Sequence, residues 1–102
     1  MQVIKNALVV TRHRNLTTYL KSIGLIDDTA IVIEHASVED IKDKDVVGVL
    51  PHSLSCLTNS FTELPLIIPP ELRGQELSLE DLKAYASEPK CYKVRSIPLT
   101  SG

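Results

Sequence analysis

The sequence lacks the marks of several common protein classes. Its only cysteines, Cys56 and Cys91, lie far apart and form no Cys-x-x-Cys motif. The three histidines show no short ligand spacing and no cysteine partner, which argues against a zinc site. We therefore predict no bound metal ion. With no signal peptide evident, we expect reduced cysteines in a cytoplasmic protein.

Long apolar runs, strong net charge and glycine-rich phosphate loops are also missing. No apolar run approaches the ~20 residues that span a bilayer, so no membrane association is expected. The net charge of −2 creates no global basic field, and no long nucleic acid is expected as a partner. Neither a Gly-x-Gly-x-x-Gly fingerprint nor a Walker lysine loop occurs, which argues against a dinucleotide cofactor or nucleoside triphosphate chemistry. We predict no cofactor.

What is present is an alternation of short apolar runs and helical patterns. The 102 residues form one domain, 1–102, by the usual length prior, and 43% of them are hydrophobic. Strands and helices repeat about every 15–20 residues, which predicts an α/β fold: a small Rossmann-like, CARF-like domain with a mostly parallel sheet of four to five strands and helices on both faces. The predicted strands are 3–10, 29–34, 46–50, 64–68 and 91–95. The predicted helices are 16–23 with Asn15 as N-cap, a short turn after Ser37 with Val38 and Ile41 facing the core, 53–60, and 79–87 after Ser78.

The most informative segment is Thr11-Arg12-His13, directly after the apolar run 7–10. Ligands of open α/β sheets bind beyond the carboxyl ends of the strands. Arg12 offers a planar fork of donors suited to phosphate, and His13 can exchange a proton near neutral pH. The segment therefore indicates a site for an anionic, phosphate-bearing ligand. The alternative is a polar surface turn.

The same sheet edge should gather residues from other strand ends. Arg14 adds a third basic residue after the first strand, and His35 follows the second. A helix start at Ser53 would aim backbone N–H groups at an anion, although simple capping would also explain this serine. The remaining candidates are the loop residues Pro51 and His52 after the third strand, and Arg73 and Glu76 in the turn after the fourth. Arg73 and Glu76 could equally form a surface ion pair, and His35 and His52 could be ordinary surface histidines.

Three blocks in this order, 9–13, 45–51 and 69–78, resemble the small CRISPR-associated Csx-sixteen family. They are Val-Val-Thr-Arg-His, Asp-Val-Val-Gly-Val-Leu-Pro and Pro-Pro-Glu-Leu-Arg-Gly-Gln-Glu-Leu-Ser, and the resemblance spans roughly residues 7–95. Two positions depart from the pattern: Arg14 stands where a small residue is expected, and Lys44 where a glycine is usual. Arg14 could strengthen phosphate attraction or change ring-size preference, whereas Lys44 should only alter a turn.

The resemblance implies a ring nuclease, a Rossmann-like homodimer that binds and degrades cyclic oligoadenylate, chiefly the tetra-adenylate messenger of type III CRISPR defence. On that basis we expect a metal-independent phosphodiesterase with Arg12 and His13 as catalytic residues. The expected substrate-binding residues are Thr11, Arg14, Pro51, His52, Ser53, Arg73 and Glu76. Two alternatives stay open: a sensor or sponge that binds the ring without cutting it, and a structural partner of a CRISPR complex.

Overall fold

A computed structural model describes residues 3–99. Its five strands are β1 (Leu8–Val10), β2 (Ile31–Ile33), β3 (Asp45–Gly48), β4 (Ser60–Glu63) and β5 (Lys90–Tyr92). They form one sheet in the order β2-β1-β3-β4-β5. The first four strands are parallel, and β5 pairs antiparallel with β4 at the edge. The predicted α/β class and mostly parallel sheet are therefore confirmed.

The helices are α1 (Arg14–Ser22), α2 (Val38–Ile41), α3 (His52–Ser55) and α4 (Leu79–Tyr85), with a 3₁₀ turn at Pro70–Leu72. They cover both faces of the sheet. On one face, α1 and α4 pack over Val9 and Val47 in a cluster that includes Leu20 and Leu82. On the other face, Ile41 of α2 joins the buried side chains of β1, β3 and β4, with Leu54 of α3 packed against them. In the described part of the chain, no helix is long and apolar enough to cross a membrane.

The helix ends were predicted unevenly. Ser37 and Ser78 both cap their helices through reciprocal bonds with Asp40 and Asp81, as the sequence indicates. The prediction that Asn15 caps α1 is wrong, because the helix begins two residues earlier than predicted, at Arg14, with His13 as its N-cap. Val38 was also expected in the core, but it is 47% exposed, since α2 is one short turn that buries only Ile41.

The fourth strand was placed wrongly. Residues 64–68 are strongly apolar, yet β4 is Ser60–Glu63. Pro65 carries no N–H for a ladder, and the run instead packs Leu64, Leu66 and Ile68 against the α1–α4 cluster. Only Leu66 makes an isolated bridge, to Ala86. The predicted helix 53–60 is likewise shortened to α3, because β4 begins at Ser60.

Candidate functional site at the carboxyl edge of the sheet

The carboxyl ends of the parallel strands open onto two adjoining cavities. The first, which we call the slot, measures about 330 Å³ and has a mainly apolar lining. The second, which we call the cleft, measures about 670 Å³ and runs toward the loop 72–77. Four residues line both cavities: Arg12, His13, Glu34 and Leu66. The two cavities therefore form one continuous groove.

Arg12 and His13 are brought together by a turn at the end of β1. Neighbouring side chains of an extended strand point to opposite faces. Here β1 ends at Val10, and the His13 amide donates to Thr11 Oγ1 at 3.0 Å, which curls the chain before α1 begins. Both side chains consequently line the slot and the cleft, and both are exposed. Thr11 lines the slot beside them.

Arg12 is tied to the end of the neighbouring strand. Its Nη2 lies 3.3 Å from His35 Nδ1. Arginine has no acceptor, so a hydrogen bond here requires the histidine nitrogen as its acceptor. The remaining guanidinium donors stay available to a ligand. Among residues 3–99, Arg12 forms no ion pair.

Basic residues concentrate at the start of α1. His13 is the N-cap, Arg14 is the first helical residue, and the first turn contains no acid. Cations at a helix N-terminus are disfavoured by the helix dipole, whereas an anion there is stabilised. Arg14 lines the cleft, so a bound anion would relieve the repulsion at this end of the helix.

The loop after the 3₁₀ turn forms the far wall of the cleft. Arg73, Glu76 and Leu77 all line it. Asn15, which was predicted as a cap, instead donates from Nδ2 to the Leu77 carbonyl at 2.8 Å and ties this loop to α1. No ion pair joins Arg73 and Glu76 in the described structure, so the simple surface-pair interpretation is not observed.

The last residue of β3 and those that follow it differ in whether they reach the groove. Gly48 and Val49 line the slot. Pro51, His52 and Ser53 are exposed in the first turn of α3, where Pro51 is the N-cap, and none of them lines the slot or the cleft. The structure therefore does not bring these three predicted site residues together with Arg12 and His13. Ser53 does not cap the helix with its side chain either.

Sequence reasoning missed the apolar half of the groove and its acid. Leu64 and Leu66 reach the slot because the segment after β4 crosses the carboxyl edge, which the misplaced strand concealed. Glu34 directly follows β2, so the rule that strand ends converge could have found it. Within residues 3–99, no group of three or more His, Cys, Asp or Glu side chains is placed to hold a metal ion.

The fold and the groove define a small Rossmann-like α/β protein with a basic, partly apolar site at the carboxyl edge of its sheet. The chain belongs to the family described as "Putative CRISPR-associated protein (Cas_VVA1548)", whose model matches residues 8–95. No curated protein matches it significantly, and no solved structure does so.

Proposed function

We propose that the protein is a ring nuclease that opens cyclic oligoadenylate, most readily cyclic tetra-adenylate. The observation that carries the proposal is that Arg12 and His13 both line one groove, which includes an apolar slot. The match to a CRISPR-associated family and the resemblance to the Csx-sixteen family support this substrate, which signals in type III CRISPR defence. The proposed setting is the cytoplasm.

The reaction needs no external nucleophile. The 2′-hydroxyl of one adenosine attacks its own 3′-phosphorus, and the bond to the 5′-oxygen of the next nucleotide breaks. The products are a 2′,3′-cyclic phosphate and a 5′-hydroxyl. The protein must hold the attacking and leaving oxygens in line, stabilise charge on the phosphorane and move protons.

The basic residues suit the phosphates. Arg12 is held at one end by His35 and keeps donors free for a nonbridging phosphate oxygen. His13 donates a proton to the leaving 5′-oxygen. Arg14 and Arg73 both line the cleft and attract the neighbouring phosphates. Thr11 in the slot and Glu76 in the cleft supply further polar contacts for the ring.

The slot suits a nucleobase. Leu16, Leu20, Val47, Leu64 and Leu66 give it an apolar lining directly beside Arg12 and His13. Burial of a flat base against aliphatic side chains is favourable, and ligand pockets of this kind are typically about 300–1,000 Å³. A base in the slot would place its own 3′-phosphate near the basic end of α1.

We further propose that the protein acts as a homodimer. The groove of one chain is open at the sheet edge and would contact only part of a ring. A two-fold axis parallel to the strands would set two carboxyl edges side by side, so that a two-fold ring meets two identical sites. Exposed Ile31 and Val32 on the edge strand β2 offer apolar surface for this contact.

The test is product analysis after prolonged incubation. The purified protein is incubated with cyclic tri-, tetra- and hexa-adenylate, denatured, and the nucleotides are separated by chromatography. The proposal expects linear products, chiefly from the tetra-adenylate. Recovery of intact ring after tight binding would instead indicate a sponge. Intact ring without binding would indicate a structural role.

A further inference from the structure

Glu34 occupies a position that the phosphate-binding role does not explain. It directly follows β2, whose last residue Ile33 is in register with Val10 of β1. The Thr11 amide donates to the Ile33 carbonyl at 3.0 Å, which carries the pairing one residue beyond β1. Glu34 is therefore beside the turn that presents Arg12 and His13, and it lines both the slot and the cleft.

The Glu34 carboxylate is exposed and has no partner in the described structure. It forms neither an ion pair nor a side-chain hydrogen bond among residues 3–99. Arg12, which lines the same two cavities, is hydrogen-bonded to His35 instead. A free carboxylate repels phosphate, so a groove that only held phosphates would be better without it. The geometry calls for a ligand group that donates a hydrogen bond.

The hydroxyl groups of ribose are such donors. In dinucleotide-binding α/β folds, an acidic residue at the end of the second strand accepts a hydrogen bond from the ribose 2′-hydroxyl. This chain lacks the glycine fingerprint of those folds, but Glu34 has the equivalent place in the sheet. It stands at the junction of the apolar slot, which suits a base, and the basic cleft, which suits phosphates. Ribose links those two groups in any nucleotide.

We propose that Glu34 binds the attacking ribose 2′-hydroxyl and is the general base of the cleavage step; this inference rests on the proposed function. The Glu34 carboxylate takes the 2′-hydroxyl proton as the 2′-oxygen bonds to phosphorus. The bond from phosphorus to the 5′-oxygen breaks, and that oxygen receives a proton from His13. Glu34 and His13 thus act on opposite sides of one phosphorus atom, and no water is consumed.

Glu34→Gln tests the catalytic role with little change in shape. Glu88→Gln is the matched control, since Glu88 is exposed, lies outside the helices and strands and lines neither cavity. Single-turnover cleavage of cyclic tetra-adenylate is measured at saturating protein, and ring affinity is measured separately. Loss of a general base should slow Glu34→Gln by ~10²-fold or more. Its affinity for the ring should be equal or higher, because one negative charge near the phosphates is gone. This affinity also verifies that the variant is folded.

A Glu34→Gln cleavage rate within about threefold of the Glu88→Gln rate would overturn the general-base role. The proposed function would still stand in that case, because the wild type cleaves the ring. If the wild type binds rings without cutting them, the proposed function fails, and the ribose contact is judged by binding alone. The wild type should then prefer the ribose ring over the all-2′-deoxy ring, and Glu34→Ala should lose that preference. Equal wild-type affinity for the two rings would refute the contact.

Discussion

Arg12 and His13 differ in what they can do for one phosphate. A guanidinium clamp interacts with phosphate in the ground state and the transition state alike, whereas a proton donor acts mainly in the transition state. Arg12→Ala should therefore weaken ring binding and turnover together, and should lower the salt dependence of binding. His13→Ala should slow cleavage by ~10²–10⁴-fold with a smaller loss of affinity.

Single-turnover rates and equilibrium binding separate these two effects. Arg95→Ala is the charge-matched control for Arg12, because Arg95 is exposed and lines neither cavity. His13→Ala with a wild-type single-turnover rate would show that His13 is not catalytic. A loss of turnover in Arg12→Ala at unchanged affinity would refute the clamp.

Gly48 of β3 lies so close to Val10 of β1 that it leaves no room for a side chain. Its φ is +145°, and a Cβ added there would lie 2.3 Å from the Val10 carbonyl oxygen. Because backbone cannot swing aside as a flexible side chain can, Gly48→Ala should destabilise the fold by about 3 kcal/mol or more.

Gly24 is the matched control for Gly48. It also has positive φ, +79°, but a Cβ there would meet nothing within 4 Å. Gly24→Ala should cost only the backbone strain of about 1–2 kcal/mol. Denaturant unfolding of both variants gives the comparison, and equal losses would contradict the close approach at Gly48.

At the residue scale, the basic half of the site was predictable and the apolar half was not. The Thr11-Arg12-His13 segment follows a buried strand, and ligands of open α/β sheets bind beyond such strand ends, so the sequence predicts a candidate site there. Sequence order does not reveal that the turn at Thr11 lets Arg12 and His13 share a groove. Asn15 has the residue type of an N-cap, but its bond is to Leu77, which is 62 residues away. Contacts of this range depend on the folded chain.

At the scale of the secondary-structure elements, the turn before β2 is held by the carboxylate of Asp27. Asp27 accepts from the Lys5 ammonium at 2.8 Å and from the Thr29 amide at 2.9 Å, and the Thr29 hydroxyl also donates to it. Thr29 Oγ1 in turn accepts a hydrogen bond from the backbone amide of Asn6 at 2.7 Å. The turn thereby joins the segment before β1 to the segment before β2. The Lys5 and Thr29 bonds hold the pKa of Asp27 well below its usual range.

The lowered pKa of Asp27 gives a pH-dependent stability. The unfolded state binds this proton near pH 3.8 and the folded state only at lower pH, so the stabilisation is present above 3.8 and is lost as the pH falls below it. Asp27→Asn should lower the melting temperature at neutral pH, and the difference from the wild type should shrink toward pH 2. Asp28→Asn is the control, because the Asp28 side chain is 99% exposed in its pair with Lys21. A difference for Asp27→Asn that does not change with pH would contradict the turn's role.

The sequence largely predicts which segments are helices and which are strands, because the spacing of apolar residues follows the buried face of each element. The exception is β4, where Ser60 and Thr62 occupy a central strand position and the adjacent apolar run is a loop. Ser60 donates to Asp45 of β3 at 2.8 Å, so at this position a polar bond to the neighbouring strand takes the place of an apolar contact. The sequence signal against a strand at 64–68 is Pro65, because proline has no N–H to donate to a central ladder.

At the scale of the whole molecule, the proposed dimer determines whether one ring meets one groove or two. Light scattering should give twice the chain mass at micromolar concentration. Val32→Lys on the β2 edge should shift the protein toward monomer, whereas Val38→Lys on α2 should not. The two valines are matched in exposure, at 46% and 47%. A monomeric wild type with and without ligand, or equal effects of the two variants, would contradict the proposed dimer edge.

The central claim is that the protein opens a cyclic oligoadenylate through attack of the substrate's own 2′-hydroxyl on the adjacent phosphate. The most direct measurement is chromatography with mass spectrometry of cyclic tetra-adenylate after incubation with the purified protein in excess EDTA and ¹⁸O-labelled water. The account predicts linear products that end in a 2′,3′-cyclic phosphate and carry no label. Cleavage that is abolished by EDTA and restored by magnesium or manganese, or label incorporated at the cleaved phosphate without a cyclic phosphate intermediate, would contradict it.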